Sequence, residues 1–441
     1  MNTPICDFVE NYVNKDVVRL HMPGHKGKTF LGIEPYDITE INGADSLFKA
    51  NGIIKKSEKN ASKIFGADTY YSTEGSSLCI RTMVYLALQK ATQLGVAPVI
   101  LAGRNAHKSF VNACALLGAT VNWLYPENCD NYLSCTVSAE SVEKEIVKNK
   151  PVAVYITSPD YLGNILDIKS IADVCNKYGV LFMVDNAHGS YLKFLKPSLH
   201  PIDLGADMCS DSAHKTLVSL TGGAYLHVKK GLELFVNVKS AMSLFASTSP
   251  SYLTLASLDY NNLELSSSFS VRLRGVVKKI ERLKSKLIKH GYTLLGNEPL
   301  KVTIKTKDFG WRGELFAEYL RLFGIECEYF DHDVLVLMFS IYNDEEDYSK
   351  IENALLSLKK GKALKRTAPK FFIREKVMEI RDAVMAKKKT VRVEDALGKV
   401  LSLDCVSCPP AVPIVVCGEK IDANAIECFK YYGISKVTVV D

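Results

Sequence analysis

No uninterrupted apolar run in the 441-residue sequence reaches the length needed to span a bilayer, so no membrane partner is expected. The start, Met1-Asn2-Thr3-Pro4-Ile5-Cys6-Asp7-Phe8, carries an acid early and has no apolar leader core, so no signal peptide is expected either. Lysine and arginine nowhere cluster in alternation with aromatics. The net charge of +6 is modest for this length, and together these exclude a nucleic-acid partner. Internal repeats and low-complexity tracts are absent. The 12 cysteines lack the spacing of a disulfide framework, and with no export signal they read as reduced thiols in a cytoplasmic protein. The one C-x-x-C, Cys405-Val406-Ser407-Cys408, has no second pair and no nearby histidine, so no metal site is expected.

What is present is the composition of a soluble globular protein, 47% hydrophobic and 24% charged, in a chain long enough for two or three domains. From Ala97 strands and helices alternate. The pattern predicts strands over Pro98–Ala102, Ala119–Leu124, Val152–Thr157 and Val180–Asp185. Helices are predicted over Ala106–Leu117, Ala139–Lys148 and Ile168–Tyr178. Such alternation implies an α/β fold with a mostly parallel central sheet, covered on both faces, that binds ligands at the carboxyl ends of its strands. A long helical stretch follows Ser247-Thr248-Ser249-Pro250-Ser251-Tyr252 and runs, with polar interruptions, to about Lys289. Beyond Gly291 the pattern restarts as a smaller α+β domain, with a helix near Ile373–Met385 and strand-like ends at Ile414–Cys417 and Val437–Val440. The expected organisation is an N-terminal arm over 1–50, a large domain over 51–289, a small domain over 290–362 and a C-terminal extension over 363–441.

The chemistry-bearing groups fall at strand ends. Ser210-Asp211-Ser212-Ala213-His214-Lys215-Thr216 lies between the apolar run Ala206–Cys209 and the strand-like Ala224–Val228. A lysine desolvated there becomes a nucleophilic amine, and His214, Ser212 and Thr216 can bind phosphate or move protons; alone, the motif reads equally as a surface loop. Upstream, Val180–Val184 leads into Asp185-Asn186-Ala187-His188-Gly189. An acid at a strand's carboxyl edge, one strand before a Schiff-base lysine, is what pyridoxal phosphate requires, the acid holding the pyridinium nitrogen protonated. Gly75-Ser76-Ser77 opens a helix and suits either a phosphate or plain serine capping. His107 opens another and is either a cap or a flat ring able to stack on a cofactor. Arg19–Gly27, with His21, His25 and Lys26, is an exposed turn or an active-site flap. Ser247–Tyr252 is a helix cap or a hydroxyl-rich turn reaching a phosphate across a subunit boundary.

With these residues placed, the sequence resembles the Orn/Lys/Arg decarboxylase family of fold type I pyridoxal-phosphate enzymes, in its shorter bacterial form without a wing domain. The resemblance runs through His21-Met22-Pro23-Gly24-His25-Lys26-Gly27, Asp37–Glu40, Phe65-Gly66-Ala67, Gly75–Ser77 and Asn105–Ser109. It continues through Asp185–Gly189, Ser212–Thr216, Leu220–Ala224, Ser247–Tyr252 and Pro409-Pro410-Ala411-Val412-Pro413. It implies an aspartate-aminotransferase-like large domain and a pyridoxal 5'-phosphate cofactor on Lys215. Asp185 would pair with the ring nitrogen, His107 would stack on the ring, and Ala187 would pack on its other face. Ser76, Ser77, Ser212 and His214 would hold the phosphate, with Thr248 from a neighbouring subunit; His188 counts among the cofactor-binding residues. Lys215, His107, Asp185 and His214 form the catalytic set. The implied reaction is decarboxylation of lysine, arginine or ornithine in a homodimer or larger assembly whose site lies at the interface. The chain departs from the family at Cys408 and Ala411, where an aromatic and a glycine are usual, and that departure bears on substrate preference. Two readings compete. One is an aminotransferase, with Arg312, Arg374 or Arg392 as a carboxylate clamp; the other is a non-catalytic cofactor-binding regulator.

Overall fold

The computed structural model describes every residue except 16, 127–130, 366–367 and 404–410. The Cys405/Cys408 pair, the Pro409-Pro410 turn and its Cys408 departure lie outside the described residues. Seven strands make the main sheet: β1 (Asp68–Ser72), β2 (Val99–Gly103), β3 (Thr120–Leu124), β4 (Ala153–Thr157), β5 (Leu181–Asp185), β6 (Met208–Asp211) and β7 (Ala224–Val228). Their order is β1-β7-β6-β5-β4-β2-β3. β2 and β3 run parallel, as do β5 and β6, while β7 is antiparallel to both β6 and β1. β5 is buried at all five residues, as a continuous apolar run in a doubly covered sheet should be. The sheet is the mostly parallel one expected, and its strands match the predicted spans to within a residue.

The described residues gather into two compact units, each discontinuous in sequence. The first comprises Met1–Pro98, Pro151–Tyr155 and Ile168–Val271. It holds helices α1 (Pro4–Val13), α2 (Ile53–Phe65), α3 (Gly75–Leu94), α6 (Ile168–Lys177), α7 (Ala213–Thr216), α8 (Val238–Ser243) and α9 (Tyr252–Ser266). α1 buries Ile5 and Val9, four residues apart on one face. Its first amides, which have no partner within the helix, donate to a single carboxylate on α9: Ile5 N and Cys6 N reach Asp259 Oδ2 at 2.8 and 3.1 Å. The 1–50 segment is thus anchored at its start. Glu34 then gathers the amides of Phe30, Leu31 and Gly32 and the hydroxyl of Thr29. Desolvation is the largest single influence and pushes the Glu34 carboxyl up, but these hydrogen bonds together outweigh it and hold its pKa down at about 2.

The second unit comprises Val99–Lys150, Ile156–Asp167 and Arg272–Asp441. It carries α4 (Lys108–Leu117), α5 (Ala139–Asn149) and most of α10 (Phe269–His290). With them are α11 (Gly313–Leu322), α12 (Glu345–Ser357), α13 (Ile380–Met385) and α14 (Ala423–Tyr431). A four-stranded antiparallel sheet joins β8 (Leu294–Leu295), β9 (Lys301–Ile304), β10 (Tyr329–Phe330) and β11 (Leu335–Met338) in the order β10-β11-β9-β8. A three-stranded sheet joins β12 (Lys388–Arg392), β13 (Leu401–Leu403) and β14 (Lys436–Val440) in the order β12-β14-β13. One apolar cluster runs from Tyr329 and Val336 through Val393 and Ile414 to Phe429 and Val439.

Two expectations change here, and one is made definite. The helical stretch from Ser247 breaks between Ser266 and Phe269 into α9 and α10, in a run of serines whose hydroxyls bond local carbonyls. The helix near 373–385 is confined to Ile380–Met385. Its first half instead carries an isolated bridge, Lys376 with Glu419. Ile414–Cys417 is not a strand; the segment is buried by packing rather than by sheet pairing. Among the described residues no helix is long and apolar enough to cross a membrane.

Candidate active site

The first unit brings together most of the residues singled out from sequence. Asp185 ends β5 and is paired in register with Ser210 of β6, so side chains of Asp185, Ser210 and Ser212 share one face of the sheet. Asp185 is buried, and its Oδ2 accepts from Tyr155 Oη at 3.1 Å while its Oδ1 accepts from the Ala187 amide at 3.2 Å. Burial raises the Asp185 pKa, with Lys215 and the Tyr155 hydroxyl pulling the other way. Lys215 lies on the single-turn α7 immediately after β6, and its Nζ is 2.9 Å from His188 Nε2. Ala187, between Asp185 and His188 in the chain, is buried beside them.

At the other end of this group the chain builds an anion cradle. α3 is 20 residues long and starts at Gly75, with Ser76 and Ser77 in its first turn; the preceding Glu74 makes no side-chain cap. The amides of that first turn point outward with the positive end of the helix dipole behind them. Ser212 Oγ donates to Ser76 Oγ at 2.9 Å, so two hydroxyls from β6 and α3 meet. The turn depends on glycine. Gly75 N donates to Gly222 O at 2.7 Å, and Gly222 has φ +95 with its Cβ position only 2.7 Å from Thr73 O. His214 Nδ1 donates to Gly223 O at 3.0 Å, which leaves Nε2 as the acceptor of a neutral ring. Burial, joined by Lys215, lowers the His214 pKa.

These donors and acceptors fit pyridoxal phosphate. A helix N-terminus with two hydroxyls suits the phosphate, an amine suits the aldehyde, and a buried carboxylate with two acceptor positions still open suits the pyridinium N–H. Thr216 Oγ1, one residue beyond Lys215, is buried and makes no hydrogen bond to the described residues, a further polar group for a ligand.

Two further expected residues, His107 and Thr248, have settings of their own. His107 belongs to the second unit, where it caps α4: Nδ1 accepts from the Ser109 amide at 3.1 Å and contacts Ser109 Oγ at 2.9 Å. The capping role is therefore real, and it fixes the ring's tautomer. Thr248 is exposed, on the loop before α9. That loop is tethered to its own chain, because Ser247 N donates to Glu74 Oε1 at 2.7 Å, and Ser251 caps α9 by accepting from Thr254 N. In the N-terminal arm His21 Nε2 meets Tyr12 Oη at 2.6 Å and His25 Nε2 meets Asp37 Oδ2 at 3.2 Å.

Sequence reasoning left five residues without a role. Tyr155 is the polar tip in the otherwise apolar strand Ala153–Thr157, an anomaly that pointed to a partner. Asn186, His200, Asp211 and His227 form a buried polar group beneath β5 and β6. Asp211 stood in plain view inside the lysine motif, but the partners that define it are distant in sequence. His200, Cys209 and Asp211 place their ligand atoms within 4.8 Å of one another.

Comparison with known proteins agrees with this geometry. Residues 3–294 match the family described as Orn/Lys/Arg decarboxylase, major domain. An arginine decarboxylase of Bacillus anthracis is 28% identical, over 96% of this chain and 92% of that protein, and one of Bacillus subtilis matches to the same extent. Among solved structures, the lysine decarboxylase of Francisella novicida aligns with 100% of this chain and 81% of its own at a TM-score of 0.81 and 16% identity. The constitutive lysine decarboxylase of E. coli aligns with 100% and 82% at 0.79 and 17% identity. These structural likenesses establish a fold type I pyridoxal-phosphate architecture.

Proposed function

Because the chain belongs to the Orn/Lys/Arg decarboxylase family of pyridoxal-phosphate enzymes, we propose that it decarboxylates a basic amino acid, with arginine as the first substrate to test. The observation that carries the reading is the convergence of Asp185, Lys215 and the uncapped start of α3 in one compact unit. Near full-length relatives named arginine decarboxylases favour arginine over lysine and ornithine.

In this reading Lys215 would bear the cofactor, Asp185 would take the ring nitrogen, and Ser76, Ser77, Ser212 and His214 would hold the phosphate. His107 would stack on the ring, and Thr248 would reach the site of a neighbouring copy. When bound, the cofactor supplies an electron sink for the pair left at Cα as CO2 departs. The protein's part is orientation and charge. Asp185, buried and accepting from Tyr155 Oη and the Ala187 amide, would hold the proton on the ring nitrogen of the bound cofactor. His188, 2.9 Å from Lys215 Nζ, takes up or returns the lysine's proton as the substrate amine arrives and product leaves. Lys215 and His214 are the groups available to protonate Cα; burial lowers the His214 pKa and its Nδ1 proton is engaged by Gly223 O, which favours Lys215 as the donor. The arginines that an aminotransferase clamp would need are otherwise engaged. Arg374 is bonded to Asp422 and Asn424, Arg312 to Glu314, and Arg392 to Asp395.

Purified protein with cofactor should show the visible band of a lysine-bound pyridoxal phosphate, and release CO2 from arginine faster than from lysine or ornithine. Lys215→Ala should lose both the band and activity by orders of magnitude. An oxo acid in place of CO2 would move the reading to transamination. A Lys215→Ala protein that keeps full activity would remove the assignment.

A further inference from the structure

On the sheet face opposite Asp185, β6 turns Cys209 and Asp211 toward His227 of β7, which is paired in register with Cys209 and with Thr69 of β1. His200, from the loop before β6, joins them. Asp211, Asn186, His200, His227 and Cys209 are all fully buried. Asp211 Oδ1 accepts from Asn186 Nδ2 at 2.7 Å and from Cys209 Sγ at 3.3 Å. Its Oδ2 meets His200 Nε2 at 3.1 Å and His227 Nε2 at 3.3 Å. His227 Nδ1 is held in turn by Thr69 Oγ1 at 2.9 Å. The ring of Phe65 covers both imidazoles, at 5.7 and 4.4 Å.

Every neighbour of Asp211 presents a hydrogen. Only an ionised carboxylate offers acceptors on all sides, so neither Asn nor Gln fits this position without setting donor against donor. Such a group in an apolar pocket is costly unless it is paired; here Asn186, Cys209 and His200 bond the carboxylate, and His227 Nε2 lies 3.3 Å away as an ion-pair contact without hydrogen-bond geometry. The strongest of these bonds, the charge-assisted one to Asn186, fixes the residue that follows Asp185 in the chain; Asn186 N also donates to Ser210 O at 2.9 Å.

We propose that Asp211, braced by His200 and His227, is a positioning residue that acts through Asn186 to hold Asp185 in line with the cofactor's ring nitrogen. The inference rests on the reading of Asp185 and Lys215 given above. It concerns a strut behind the sheet, with no contact to cofactor or substrate. Because Asp185 ends β5 and Lys215 lies on α7 directly after β6, a bond between the ends of these two strands sets the spacing of the carboxylate and the lysine.

The test is a double-mutant cycle on full-length protein, reading the dissociation constant of pyridoxal phosphate by equilibrium dialysis and the visible band of the bound form. Asn186→Ala cuts the link alone; Asp211→Asn removes the charge. Each should weaken cofactor binding about tenfold and change the band, and the double variant should be no worse than the weaker single. If Asp211→Asn does not fold, His200→Leu takes its place in the cycle. Unchanged cofactor affinity in the single variants, even with lowered melting temperatures, would show a purely structural cluster and overturn the proposal, as would additive effects. One equivalent of zinc in the purified protein would also overturn it, since His200, Cys209 and Asp211 would then be ligands. Absence of the visible band in the wild type would instead sink the Lys215 reading itself.

Discussion

Single residues here are decided by what surrounds them, and Asp185 and Asp211 show it within one sheet. The Asp185 carboxylate accepts from Tyr155 Oη and the Ala187 amide, and burial raises its pKa. Asp211 is just as buried, yet His200 and His227 overcome that push and hold its pKa well below the carboxylate range. Two predictions follow from this contrast. Asp185→Asn should keep the visible lysine-bound band, because Lys215 and His188 are untouched, but lower kcat roughly 10²–10³-fold, the usual loss of one preorganised charge. A variant within threefold of wild-type kcat would exclude Asp185 as the ring-nitrogen partner. For Asp211 the sign is that of a depressed acid. Between its folded pKa and an unfolded value of about 4 the folded state binds fewer protons, so its stabilisation is fully present above that value and is lost progressively as pH falls from there towards the folded pKa. Urea midpoints measured from pH 6 to pH 3 should fall steeply for the wild type and less steeply for Asp211→Asn.

At the scale of elements, the cradle depends on how α3 is started. Its first turn is shaped by Gly75 and by the backbone of Gly222, which comes from the far side of the lysine motif. Gly222→Ala puts a Cβ 2.7 Å from Thr73 O in a left-handed conformation, so some part of the turn must give way. The expected cost is about 2 kcal/mol or more of stability, with weakened cofactor retention, read as a lower melting temperature and faster loss of the visible band on dilution. An unchanged melting temperature would mean that the turn is softer than its contacts imply. The same scale explains which elements were legible. Strands β2, β4 and β5 are short apolar runs bounded by polar or small residues, and helices α3 and α4 stop at the glycines Gly95 and Gly118. Ile414–Cys417 looked like a strand because it is apolar, but its burial comes from packing around Arg104, whose guanidinium donates to Pro413 O, Ile414 O and Glu419. Nothing local in the sequence signals that contact.

For the whole molecule, the expected oligomer has a physical correlate in the N-terminal arm, where Val18, Leu20, Phe30 and Leu31 are exposed at 81, 89, 75 and 70%. Solvent is a poor neighbour for so many large apolar groups in one short segment, and a second copy of the chain is the partner the family resemblance implies. Sedimentation should find a dimer or larger species, and Thr248→Val should weaken cofactor binding only in that assembled form; a fully active monomer would refute the shared site. The sequence by itself determined the class of chemistry and most of the sheet. An acid at one strand end, a lysine after the next and a Gly-Ser-Ser helix start are local patterns, and their chemistry does not depend on long-range packing. Tertiary structure alone decided the partners: Tyr155 on Asp185, His188 on Lys215, and the buried Asp211 group that joins residues 186, 200, 209 and 227. Those contacts come from strand order and register, which fix which residues share a face, and a linear pattern carries no record of which strand lies beside which.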